Sequence, residues 1–178
     1  MTDLDDRIRG WAAARRLPQA YLSRWLALEP ADRIAMLELA EGLRMRTGQF
    51  VAAFDLVDEI ALREGDRFAA IVGRSEIRRL ASASGSGPGK AARLLDTLRA
   101  LRYPRMKALS DRLTAALAVL RLPEGIRVVL PKDLASDELR IEIVAHGERE
   151  LERLAQALAE KLDGLKRIAE MIGGADEV

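Results

Sequence analysis

Few residues in this sequence have types and spacing that could do chemistry: one histidine, one glycine-rich run ending in Gly-Lys, and three acidic residues close together on a helical stretch. The run Ser84 to Leu95 reads SGSGPGKAARLL. A phosphate cradle of the G-x-x-x-x-G-K-[ST] type needs a first glycine where this chain has Ser84. It also needs a hydroxyl after the lysine, where the chain has Ala91, and a strand feeding the loop, where SEIRRLASA has helical character. The dinucleotide fingerprint fails as well, because Gly85 and Gly87 fit G-x-G but Lys90 occupies the third glycine position. The run is therefore read as a flexible linker whose last residues open a helix.

The sole histidine, His146, ends a predicted strand on the face shared with Arg140 and Glu142. A hydrolytic triad needs a positioned serine and acid around it, and zinc needs further nitrogen or sulfur ligands. A chain with one histidine and no cysteine lacks those ligands. Asp55, Asp58 and Glu59 could hold a hard cation, but their spacing beside an apolar stripe is that of a solvated helix face. No catalytic residue, metal site or cofactor is expected, and the chain is not read as an enzyme. The absence of cysteine also rules out a disulfide framework.

The 178 residues carry a net charge of +1, unevenly distributed. Residues 1–81 hold 13 basic and 13 acidic side chains, residues 82–125 hold 8 and 3, and residues 126–178 hold 8 and 12. The basic excess thus lies in the middle, where Lys90, Arg93, Arg99, Arg102, Arg105, Lys107 and Arg112 fall within 23 residues against Asp96 and Asp111. Such a surface tracks phosphates, and Tyr103 sits within it at a kink where its ring can meet sugar or base. The other use of such arginines is to cover apolar surface and pair with acids elsewhere in the chain.

The elements that position these groups are mostly helical. Apolar residues are 49% of the chain and aromatics 4%, with Leu, Ala, Ile, Val, Arg and Glu dominant. Leu17-Pro18 opens a helix containing Tyr21, Leu22, Trp25 and Leu26, and Pro30 opens the next, with Ile34, Leu37, Ala40 and Met45. A break is predicted at Thr47-Gly48, then a helix with Phe50, Phe54, Val57 and Ile60 that Gly65 stops. Asp66 is expected to cap a further helix with Phe68, Ile71 and Ile77. The second and third segments, either side of Thr47-Gly48, outline a helix-turn-helix, but the would-be reading helix carries Asp55, Asp58 and Glu59. Only Arg44 and Arg46 at its turn are placed to touch phosphates.

Beyond the linker, Lys90 to Arg102 carries Leu94, Leu95, Leu98 and Leu101 on one side, Tyr103-Pro104 breaks the chain, and Arg105 to Leu120 resumes. The period then becomes two: Ile126, Val128 and Leu130 alternate in one strand, and Leu139, Ile141, Ile143 and Ala145 in a second. A last helix from Glu148 to Ile172 places Leu151, Ala155, Leu158, Leu162, Leu165, Ala169 and Ile172 in steps of four and three, a seam for a partner. A lone hairpin leaves two unpaired edges, so a homodimer is expected through Ile126, Val128, Leu139, Ile141, Ile143, Leu151, Leu158, Leu162 and Leu165.

The expected class is mainly α (α+β): a helical bundle over 1–81, a linker at 82–89, and a helix-strand-strand-helix unit with an antiparallel hairpin over 90–178. The start, MTDLDDRIRGW, lacks an apolar signal core, and no segment has the length of uncharged apolar residues that a membrane span needs, so a cytoplasmic location and no membrane partner are expected.

The run LALEPADRIAMLELAEGLRMRTGQFVAAFDLVDEIALREG, followed by KAARLLDTLRALRYPRMKALSDRLTAALAVLRLPEGIRVVLP and LRIEIVAHGERELERLAQAL, resembles the regions that follow the N-terminal domain in ParB-like chromosome-partitioning proteins. The resemblance implies DNA association, with Lys90 to Lys107 as the matching basic stretch, and dimerisation, with Ile126 to Val144 as the matching hairpin. It includes no counterpart of that family's nucleotide-binding domain, so nucleotide-driven clamping is not implied. The expected partners are DNA, a second copy of the chain and a full-length ParB-like protein. The alternative is a protein-interaction module with no nucleic-acid role, in which the arginines serve solubility.

Overall fold

Proline and glycine set several of the helix ends. Pro30 occupies the first turn of its helix, where a missing N–H costs nothing, and Gly65 closes another at φ 66°, a left-handed conformation that residues with a Cβ disfavour. The computed structural model describes residues 2–82, 87–131 and 138–174. The elements are α1 (Thr2–Ala14), α2 (Gln19–Ala27), α3 (Pro30–Gly42), α4 (Thr47–Glu64), α5 (Phe68–Val72), α6 (Ser75–Ser82), α7 (Gly87–Arg102), α8 (Pro104–Leu120), β1 (Ile126–Val129), β2 (Arg140–Ile143), α9 (Glu148–Glu160) and α10 (Leu162–Gly173). The mainly helical class with one small antiparallel hairpin is as expected. No helix among the described residues is long and apolar enough to cross a membrane. Of the expected linker, residues 83–86 lie outside the described residues, as do 132–137 between the strands.

The chain divides into two units at Tyr103–Pro104. This differs from the expected division at 82–89. The leucine stripe of α7 shows that one face is buried, but not against what. That face, with Ala91, Leu94, Leu95 and Leu98, joins the core of the N-terminal helices. In the first unit, six of the seven aromatic residues meet in one connected set. Phe50 lies 4.8 Å from Trp11 and 4.7 Å from Trp25 by ring centroids, Trp11 and Trp25 meet edge to face, and Phe54 links Phe50 to Phe68 and Tyr21.

The helix expected from Asp66 is two helices, α5 and α6. Asp66 accepts a hydrogen bond from the Arg67 N–H at 2.9 Å, while the first turn of α5 is satisfied from across the bundle. There the buried Asp32 carboxylate accepts the Ala69 N–H at 2.8 Å and a bond from Arg67 Nη2 at 3.2 Å. The break expected at Thr47-Gly48 falls earlier, at residues 43–46, because Arg44 takes the left-handed conformation and Met45 N–H closes onto Ala40 O at 3.0 Å.

In the second unit β1 and β2 pair in the register Ile126↔Ile143, Arg127↔Glu142, Val128↔Ile141, Val129↔Arg140. One face of the hairpin is thus wholly aliphatic, and the other carries an Arg–Glu pair across the strands. The long last helix is broken at Lys161 (φ −99°, ψ 2°) into α9 and α10, so the continuous seam does not form. The inward stripe is Leu154, Leu165, Ile168 and Ile172, which keeps Leu165 and Ile172 of the expected seam and adds two residues outside it, and Leu120 of α8 packs directly on Gly164.

Candidate nucleic-acid interface

On α7 the buried Ala91, Leu94, Leu95 and Leu98 fix which residues face out. Arg93 is exposed and Lys90 half-exposed; their only described polar contacts are long ones to backbone carbonyls, Arg93 Nε to Gly89 O and Lys90 Nζ to Ala81 O, both 3.4 Å. Arg99 is exposed and paired with Asp96 at 3.0 Å. Arg102 is committed to structure: its Nε donates to Glu59 at 2.6 Å and its guanidinium lies 4.8 Å from the centroid of Tyr103. From α4, Arg63 caps the end of α7 by donating to Arg102 O at 2.5 Å and Leu101 O at 2.9 Å. The expected cations are therefore not equivalent. Arg102 and Tyr103 close α7 onto α4, and Lys90 and Arg93 hold no carboxylate among the described residues.

The basic segment is also divided between the units. Arg105 and Lys107 begin α8, where both are exposed and Lys107 pairs with Asp111 one turn on. Arg44 and Arg46 flank the turn into α4, exposed, with Arg44 at φ 49°. Two bonds tie this turn to the end of α1: Arg15 Nε donates to Met45 O at 3.1 Å, and the Thr47 hydroxyl donates to Arg15 O at 2.5 Å. Arg15 and Arg16 thereby join the site. Sequence gave no sign of this, since the two turns are 30 residues apart and neither carries glycine at its reversal.

The acidic group on α4 is an anchor. Asp55 accepts the Tyr21 hydroxyl at 2.6 Å, Arg24 spans Asp55 at 2.9 Å and Asp58 at 2.7 Å, and Glu59 holds Arg102. The Asp55 carboxylate beside it raises the Tyr21 phenol above its ordinary pKa and also stabilises the charged form of Arg24. Arg74 and Arg63 lower the Glu64 carboxyl. His146 lies beyond β2 rather than on its face, and its backbone N–H donates to Glu150 at 2.7 Å. That bond is the main reason the Glu150 carboxyl is lowered. Glu124, Glu142, Glu150, Arg127 and Arg153 line an open cleft of about 500 Å³ around His146, a mixture that commits to neither an anion nor a cation. Among the described residues, no three His, Cys, Asp or Glu side chains stand where they would share a metal ion.

Of the expected dimer residues, Ile126 and Leu165 are buried within the chain, and Val128, Leu139, Ile141 and Leu158 are half-buried. Ile143, Leu151 and Leu162 stay exposed at 39%, 51% and 48%, with Val144 at 63% beside Ile143. Among family models, curated proteins and solved structures, nothing matches this chain.

Proposed function

We propose that this protein associates with DNA through the cations of the first unit and dimerises through the second, a partition-like or regulatory role without catalysis. The observation that carries the reading is the outer face of α7, where Lys90 and Arg93 stand over a buried stripe with no carboxylate among the described residues to neutralise them. Arg44 and Arg46 at the α4 turn, which are exposed and form no ion pair among the described residues, support it. A full-length ParB-like protein is a further partner that this reading admits.

The test is fluorescence anisotropy of a labelled duplex at low and physiological salt. Each phosphate contacted contributes about one unit to the slope of log affinity against log salt, because counterions are released. The double variant Lys90→Ala, Arg93→Ala should lower that slope by about two units. These two side chains are chosen because Arg102→Ala would also loosen α7. Absence of binding at low salt, or binding indifferent to salt, overturns the reading in favour of a protein-interaction module.

Dimerisation is supported by how little the second unit buries. Among the described residues, six apolar side chains of residues 104–174 are fully buried, against 23 in the first unit. A core of that size is marginal alone. A two-fold axis through Ile141 sets Arg140 opposite Glu142 of a second copy, twice, and Leu139 opposite Ile143, completing a four-stranded sheet. We expect sedimentation equilibrium to give a dimer mass across the micromolar range. Leu151→Glu combined with Leu162→Glu should give the monomer mass; a monomeric parent protein would refute this half of the proposal.

A further inference from the structure

Two helices of the first unit end on an arginine where helices commonly end on glycine. Arg16 follows α1 at φ 52°, with Leu17 N–H donating to Ala12 O at 2.9 Å and Arg16 N–H to Ala13 O at 3.2 Å. Arg44 follows α3 at φ 49°, with Met45 N–H donating to Ala40 O at 3.0 Å and Arg44 N–H to Glu41 O at 3.0 Å. This is the Schellman closure, whose left-handed residue strains any side chain with a Cβ. Two arginines therefore hold positions at which glycine would be the more stable choice, and the bonds from Arg15 to Met45 and from Thr47 to Arg15 bring their turns together.

The charges at this junction are unopposed. Elsewhere in the unit Arg7, Arg24, Arg33 and Arg67 each hold a carboxylate. Arg15, Arg16, Arg44 and Arg46 form no ion pair among the described residues; Glu41, the nearest acid in sequence to Arg44, is taken by Arg7 at 3.1 Å. The first turn of α4 starts at the same place. Arg46 at its N-cap has no acceptor atom to offer, so the N–H groups of Thr47 and Gly48 have no side-chain partner there, and the exposed Gly48 leaves its backbone uncovered. Four guanidinium forks beside a positive helix end match phosphodiester oxygens in geometry as well as charge.

We infer that Arg15, Arg16, Arg44 and Arg46, on the stitched α1 and α3 turns, form a phosphate clamp for the backbone of duplex DNA, separate in sequence from the α7 cations. The inference rests on the DNA-association reading and adds to it a second contact, one read by backbone geometry and blind to base sequence. Arg16 and Arg44 are kept, in this view, for the ligand and against local stability.

The test separates affinity from folding. In the double variant Arg16→Gly, Arg44→Gly, the melting temperature should stay level or rise, because glycine relieves both left-handed positions. Affinity for a labelled random duplex should fall, with the salt slope reduced by about two units. The variant Arg46→Gln removes charge from an extended residue (φ −79°) with no effect on backbone strain, and should reduce the slope by about one unit. The parent protein should bind the duplex far better than polyglutamate of equal charge. If the parent binds DNA and both variants keep its affinity and slope, the clamp is refuted while the α7 contact stands. If polyglutamate competes equally, the site reads charge alone and the phosphate assignment is wrong. If the parent does not bind DNA at low salt, the underlying reading falls and the clamp with it.

Discussion

Phe50→Ala is expected to lower the unfolding free energy by about 3–5 kcal/mol, the range for removing a fully buried phenyl ring. Phe50 is fully buried and its ring lies within 6 Å of Trp11, Trp25 and Phe54, so α1, α2 and α4 all lose contacts to one cavity. The cavity cannot collapse cheaply, because the ring neighbours are themselves held: Trp25 Nε1 donates to Arg33 O at 3.3 Å, and Trp11 lies under the Arg15 guanidinium at 4.5 Å. Both tryptophans of the chain touch Phe50, so urea unfolding followed by tryptophan fluorescence reads the affected core directly. Leu62→Ala on the same helix, where the side chain is 86% exposed, should stay within about 0.5 kcal/mol of the parent. Equal losses in the two variants would mean that the aromatic set is not the keystone of the unit. The effect also reaches the proposed clamp. Phe50 N–H donates to Arg46 O at 2.9 Å, so slack in the first turn of α4 is passed to the turn that carries Arg44 and Arg46, and duplex affinity should fall with stability.

The parts of this fold legible in sequence are those decided by short-range chemistry. Pro30, Gly65 and Pro104 mark helix boundaries because a missing N–H or a missing Cβ acts within one turn. The stripe of Phe50, Phe54, Val57 and Ile60 is legible because helical period alone places it on one face, and all four side chains are buried. The break at Lys161 was not legible: no breaker residue stands there, and the heptad steps run straight through it. What matters is which leucines the tertiary packing buries, and those are Leu154 and Leu165, one of them outside the expected seam.

The candidate site shows the same division. Composition located a basic segment, but a charge count ignores pairing. Glu59 neutralises Arg102 from 43 residues away, and the acids on α4 that look like a solvated face are what hold α2 and α7 in place. Arg44 stood out as a cation at a turn, but the left-handed conformations of Arg16 and Arg44 did not, because a left-handed reversal without glycine has no local signature. The pairing state of each cation, which sets its value to a polyanion, is a tertiary property.

The second unit should respond most strongly to Gly125→Ala. Gly125 sits at φ +98°, and an added Cβ would lie 2.8 Å from the Val144 carbonyl oxygen and 2.9 Å from Leu154 Cδ1. The oxygen cannot retreat, because Val144 N–H donates to Gly125 O at 2.8 Å in the pairing that extends the hairpin. Leu154 is the fully buried residue by which α9 contributes to this small core. Backbone strain of about 1–3 kcal/mol and overpacking of about 1–3 kcal/mol therefore act together, on a unit that buries few side chains. Gly147 supplies the control: it has nearly the same φ, +95°, with open space around the added carbon, so Gly147→Ala incurs the strain without the collision. Hydrogen exchange at the amides of β1 and β2 should accelerate far more in Gly125→Ala than in Gly147→Ala, and the dimer mass should be lost only in the former. If the two variants exchange alike, the close approach of Gly125 to Val144 and Leu154 does not hold the hairpin, and the edge offered to a second copy must be organised by the partner rather than by the chain itself.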